Sequence, residues 1–130
     1  MTEFSMESMK ISLPPDCGNA PRMVLIGEFV ENWAGGNADA VAGGLADDVR
    51  WTVIGKGTYT GPQSLEAAIP LSRPSRVEVH TIVTHGRLAS CDGYLEKGAS
   101  RVAFSHVFRF VSTSKTAKIA EIRTYMITTQ

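Results

Sequence analysis

The second half of this 130-residue chain is a succession of strand-like runs cut by turn residues, and it restricts the fold more than any other feature. Runs at about 76–85, 88–96, 101–111 and 117–128 are rich in Val, Ile, Phe, Tyr and Thr. Between them stand His85-Gly86-Arg87, Lys97-Gly98-Ala99 and the polar stretch 112–116. Connections this short make a strand meander, and its sheet must bury one face against something apolar. The first half supplies the cover. Asn19 is a suitable helix cap and Pro21 fits a first turn. Ile26, Phe29, Val30 and Trp33 then recur at the spacing of one buried stripe, until Gly35-Gly36 stops the run. A shorter helix is expected over about 38–45. A strand follows over 49–55, where Val49, Trp51 and Val53 alternate with Arg50 and Thr52. An extended piece around Tyr59 leads to a small helix at about 62–69, broken by Pro70 and Pro74. Residues 1–18, with Pro14-Pro15 and no periodicity, read as a flexible N-terminal lead-in. Residues 19–130 read as a single α+β domain.

Charge and cysteine content narrow the partners. Thirteen basic and thirteen acidic side chains balance to zero, so no basic excess is available to neutralise phosphates and nucleic acid is not expected. Cys17 and Cys91 form no disulfide framework, and three scattered histidines show no metal-ligand spacing. No apolar run approaches the ~20 residues of a membrane span. The opening MTEFSMESMKISLPPD carries two glutamates and no apolar stretch of the signal-peptide kind. The expectation is a cytoplasmic protein without metal or other cofactor, and without membrane or nucleic-acid partners.

One strand holds an unusual residue. In FSHVFRFVS, residues 104–112, His106 sits among Phe104, Val107, Phe108, Phe110 and Val111. Hairpin arithmetic gives its direction. A two-residue Gly86-Arg87 turn pairs His85 with Leu88, Val83 with Ser90, Thr81 with Asp92 and Val79 with Tyr94. Val77, Val79 and Val83 then share a core-facing side with Ser90, Asp92 and Tyr94. A three-residue turn at Lys97-Gly98-Ala99 pairs Asp92 with Phe104 and Ser90 with His106. His106 and Asp92 become diagonal neighbours on the inner face. A two-residue turn there would instead throw His106 outward.

Taken in order, GNAP, LADDVRWTV, TYTGP, VTHGRLASCDG, VFRFVS and KIAEIRTYMI give the chain a likeness to a known family. From about residue 19 to 129 it resembles the nuclear transport factor 2-like superfamily, in its SnoaL-like branch. The resemblance implies a cystatin-like cone, three N-terminal helices packed into a strongly curved, mostly antiparallel sheet, with a pocket between them. Members include steroid isomerases, scytalone dehydratase, limonene epoxide hydrolase, polyketide cyclases and non-enzymatic dimerisation modules, so the fold alone does not name an activity. Carrying over the steroid-isomerase positions puts Phe29 where that site has a tyrosine, Val53 where it has its base, and His106 where it has an oxyanion-hole acid. Two of the three polar groups are therefore absent.

Two functions follow from these residues. In the first, the protein binds a small apolar or aromatic metabolite. The pocket would be lined by Phe29, Trp51, Val53, Tyr59, Ser90, Tyr94, Phe104, Phe108 and Thr124. His106 would be the acid/base and Asp92 its orienting partner in a cofactor-independent isomerase, cyclase or dehydratase. In the second, the protein is a non-catalytic dimeric module that binds a ligand or associates with another protein, and His106 is a satisfied core residue. Glu78, His80, Arg109, Glu121, Arg123 and Tyr125 would lie on the convex sheet face, through which members of the superfamily commonly dimerise.

Overall fold

The structure is a computed structural model that describes residues 9–15 and 20–128. The expected Asn19 cap and Cys17 lie outside the described residues. In chain order the elements are β1 (Lys10–Ser12), α1 (Pro21–Ala34), α2 (Ala38–Gly43), β2 (Leu45–Val53), β3 (Gly57–Thr60), a 3-10 turn (Gly61–Gln63), α3 (Ser64–Ala68), β4 (Arg76–His85), β5 (Leu88–Lys97), β6 (Ser100–Phe110) and β7 (Ile119–Thr128). This is an α+β arrangement in which helices pack on one large curved sheet. The seven strands lie in the order β1-β4-β5-β6-β7-β2-β3. All neighbours are antiparallel except β1 with β4 and β2 with β7.

Two local differences from the sequence reading have simple causes. The lead-in contains a strand: β1 pairs Lys10, Ile11 and Ser12 with Arg76, Val77 and Glu78. Three residues are too few to show an alternation, and only the β4 edge gives them partners. The second helix ends at Gly43, and the next strand begins at Leu45, earlier than expected. There β2 runs parallel to β7, with a register shift between Leu45 and Arg50; Leu45 and Val49, four residues apart on one face, are both buried.

The register of the central strands corrects the hairpin arithmetic twice. The β4–β5 hairpin begins as expected, with His85 opposite Leu88, Val83 opposite Ser90 and Thr81 opposite Asp92. A bulge at His80 then places Val79 opposite Gly93 and Val77 opposite Leu95. One extra residue reverses the faces. Val77, Val79 and Ile82 are buried, whereas Val83 is 53% exposed. The inner face of β5 is Ala89, Cys91, Gly93 and Leu95, and Ser90, Asp92 and Tyr94 point outward.

The β5–β6 connection is the second correction. Lys97 pairs with Ser100 across a two-residue turn of Gly98 and Ala99, with Gly98 at φ 59°. Cys91, not Ser90, therefore faces His106. The two one-residue differences cancel at His106. It faces inward because both the β5 face and the turn length differ from expectation.

Gly93 shows why the bulge is where it is. A Cβ at this position would land on the Glu78 carbonyl oxygen and lie 3.0 Å from the Val79 Cα. Only glycine lets the β4 backbone lean over β5 at the bulge. Beneath the bent sheet, α1 buries Ile26, Phe29, Val30 and Trp33 against Val49, Trp51, Phe104, Phe108 and Ile122. The Trp33 indole donates to the Ala68 carbonyl at 2.8 Å, tying α1 to α3.

Candidate functional site

His106 is the centre of the candidate site. Strand pairing carries it across the sheet in the row Cys91–His106–Thr124–Val53. Its side chain is 0% exposed. Nδ1 lies 2.8 Å from Thr124 Oγ1, and the same oxygen accepts the Trp51 indole N–H at 2.8 Å. Trp51, Thr124 and His106 thus form one buried polar chain, each member from a different strand. The Trp51 proton occupies one lone pair of Thr124 Oγ1, and the hydroxyl proton is free to be donated to His106 Nδ1. That assignment leaves the ring proton on Nε2.

Among the described residues Nε2 meets no hydrogen-bonding group. Aromatic rings surround the imidazole instead. Trp33 stands edge-to-face at a centroid distance of 4.3 Å and Phe29 edge-to-face at 5.3 Å. Phe104 and Phe108 flank it on its own strand at 5.4 and 5.8 Å. Burial among hydrocarbon disfavours the imidazolium and pulls the His106 pKa from 6.5 down to about 3. The side chain is a neutral imidazole at physiological pH.

Phe29 closes this chamber from above. It contacts Trp51 at 5.7 Å, His106 at 5.3 Å and Phe108 at 5.1 Å, so one ring on α1 covers the polar chain. The Cys91 thiol beside His106 is buried too, and loss of solvent pushes its pKa up to about 12, leaving it an inert small apolar group.

The structure divides the expected site residues into two sets. Phe29, Trp51, Phe104, Phe108, Thr124 and His106 come together in the buried chamber. Val53 packs at its edge and Tyr59 is half-buried beside Trp51 on β3. Asp92, Ser90 and Tyr94 belong to the other side of the sheet, because the His80 bulge sets their face outward. Asp92 pairs with Ser105 and cannot orient His106. The partner of His106 is Thr124, and Trp33, expected only as core, is its nearest ring. The helical spacing of Trp33 one turn after Phe29 was a usable signal for that contact.

The outer face carries the polar groups expected there. His80 Nε2 lies 2.9 Å from Glu78 Oε2, and the Arg101 guanidinium stacks on the Tyr94 ring at 3.8 Å. Arg109 and Arg123 flank Glu121 at 3.7 and 3.3 Å. No group of three or more His, Cys, Asp and Glu side chains that could hold a metal ion occurs among the described residues. No helix among them is long and apolar enough to cross a membrane.

Comparison with known proteins bears on the fold. No family model matches the sequence, and no curated protein matches it. Solved structures do. An NTF-2 like protein of unknown function from Burkholderia xenovorans LB400 superposes with a TM-score of 0.67 at 17% identity, over 82% of each chain. A putative ketosteroid isomerase from Kribbella flavida gives 0.66 at 16% identity, over 82% of this chain and 78% of that one. The epoxide hydrolase/cyclase-like enzyme SalBIII, of pyran ring formation in the polyether salinomycin, gives 0.56 at 11% identity, over 82% and 90%.

Proposed function

The chain has the NTF2-like fold, and from that premise we propose that it is a non-catalytic ligand-binding module that self-associates through its outer sheet face. The observation that carries the reading is the enclosure of His106. Among the described residues its second nitrogen is buried without a hydrogen-bond partner, and Trp33 and Phe29 pack against the ring. A general acid or base must come within hydrogen-bonding reach of a substrate proton. Here four rings pack round the imidazole, and Asp92, which would have tuned it, is on the far side of the sheet. The helices and curved sheet pack around the polar chain, an arrangement that supports a packing role over a reaction.

Self-association is supported by the apolar side chains left on the outer face. Val83, Tyr125 and Ile127 are 53%, 39% and 67% exposed, interleaved with the Arg109–Glu121–Arg123 cluster. An alternating field of apolar and balanced charged groups can meet a copy of itself about a two-fold axis.

One observation favours a second reading, the cofactor-independent isomerase or cyclase. Nε2 of His106 is a buried polar atom without a partner among the described residues, and a substrate that displaced Phe29 would supply one. A metabolite-library thermal-shift screen on wild type and His106→Phe separates the readings. Under the module reading, ligands that stabilise the wild type stabilise the variant equally. Selective loss of stabilisation in His106→Phe, or turnover by the wild type alone, establishes the enzyme.

A further inference from the structure

The α3–β4 loop and the far ends of β5, β6 and β7 border a half-open cavity of about 390 Å³, within the ~300–1,000 Å³ typical of small-molecule sites. Its floor is apolar, with Leu95 and Pro74 buried and Val102 and Pro70 half-buried. On its rim Leu71 is 102% exposed and Met126 43% exposed. A large apolar side chain held wholly in water beside an apolar hollow gains free energy when something covers both. The loop that holds Leu71 is anchored on each side of the hollow. Arg73 Nε donates to the Gly35 carbonyl at 3.4 Å, and Ser75 donates to the Glu96 carbonyl through its backbone N–H at 2.8 Å and its hydroxyl at 3.0 Å.

The charge lining this cavity that has no ion-pair partner among the described residues has one sign. Glu96 also borders the cavity, but its carboxylate is engaged by Arg76 at 3.9 Å and Arg101 at 3.3 Å. Lys97, one residue on and lining the cavity, forms no ion pair among the described residues. The hydroxyl-bearing Ser72 and Ser100 complete the rim. An apolar trough ending at a single uncompensated ammonium is complementary to an amphiphile with a terminal anion.

We propose that this cavity binds a small apolar carboxylate, with its hydrocarbon along Leu95, Val102 and Met126 beneath Leu71 and its carboxylate at Lys97. The proposal rests on the ligand-binding part of the reading above and names the class of ligand. Carboxylate and ammonium meet at the exposed end, where Lys97 contributes orientation and selectivity. The apolar floor contributes most of the affinity.

Isothermal titration of the full chain with dodecanoate below its micellar concentration tests this. The expected result is saturable binding at one site, weakened at least tenfold by Lys97→Glu and several-fold by Leu71→Ser. Dodecanol is expected to bind more weakly and to ignore Lys97→Glu. Both substituted positions are exposed, so the variants should keep the wild-type melting temperature, which is measured alongside. Absence of saturable dodecanoate binding overturns the proposal, as does equal binding by wild type and both variants, or equal binding of acid and alcohol. The His106 ring resonances read the enclosure independently. A failed titration with unmoved His106 signals rejects the carboxylate site and leaves the enclosed-histidine reading standing.

Discussion

Thr124 Oγ1 stands 2.8 Å from His106 Nδ1, and the hydroxyl that binds the imidazole also receives the Trp51 indole proton at 2.8 Å. One oxygen therefore satisfies two buried polar groups from neighbouring strands. Thr124→Val keeps the shape and removes that oxygen. Each group left unpartnered costs about 1–3 kcal/mol, so with two such groups the variant should lose about 2–6 kcal/mol of unfolding free energy by denaturant titration. In the double variant Thr124→Val, His106→Phe, the loss should fall short of the sum of the two single effects, since the pair shares one interaction. Strict additivity would mean the hydrogen bond is not formed.

Acid should destabilise the protein through His106. The folded side chain protonates at about 3, while the unfolded one has its ordinary value of 6.5. Above 6.5 neither state carries the proton and the neutral imidazole's contribution is fully present. Below 6.5 the unfolded chain takes up a proton that the folded chain refuses, so stability falls as pH drops from 6.5 toward 3. The slope approaches about 1.4 kcal/mol per pH unit. Between pH 7 and pH 5 the wild type should lose about 2 kcal/mol more than His106→Phe in chemical denaturation. Equal losses would place the titrating group elsewhere.

Gly93→Ala tests the bulge. The added methyl would meet the Glu78 carbonyl oxygen, which is backbone and cannot swing aside. A loss of about 3 kcal/mol or more is expected, at the upper end of what overpacking costs. Gly43→Ala, where no atom lies within 4 Å of the new Cβ, is the control and should be near neutral. Similar melting temperatures for the two variants would contradict the register across β4 and β5.

Much of this architecture was legible in the sequence, and what was not has a local cause. Pro21 and Gly35-Gly36 mark α1, and the turns at Gly86 and Gly98 mark the hairpins, because φ restrictions act within one or two residues. The bulge at His80 leaves no mark in β4 itself. Its one signature is Gly93 on the neighbouring strand, which alternation counting treats as an ordinary strand position. Hence Asp92 was assigned to the wrong face, while His106 reached the correct one through two offsetting differences. That Phe29 and Trp33 close over the imidazole depends on how α1 lies against the sheet, and no spacing within β6 contains that information.

The outer face should govern oligomeric state. Ile127→Lys and Val83→Lys place charges where the apolar contact is proposed, at positions 67% and 53% exposed that cost the monomer little. By sedimentation velocity the wild type is expected to be a dimer, and each substitution should raise the dissociation constant at least tenfold. A monomeric wild type, or variants that dimerise as well as it does, would remove the outer face from the proposal.

The protonation and accessibility of His106 test the central claim most directly. Imidazole 15N and 1H resonances of the full chain can be followed from pH 8 to pH 4.5, with and without a soluble paramagnetic relaxation agent. The expected result is a neutral ring carrying its proton on Nε2, with no titration across that range and no broadening by the agent, as burial among Trp33, Phe29, Phe104 and Phe108 requires. A titration midpoint between 6 and 7 with broadening would show an imidazole open to solvent, and would contradict the enclosed, non-catalytic histidine.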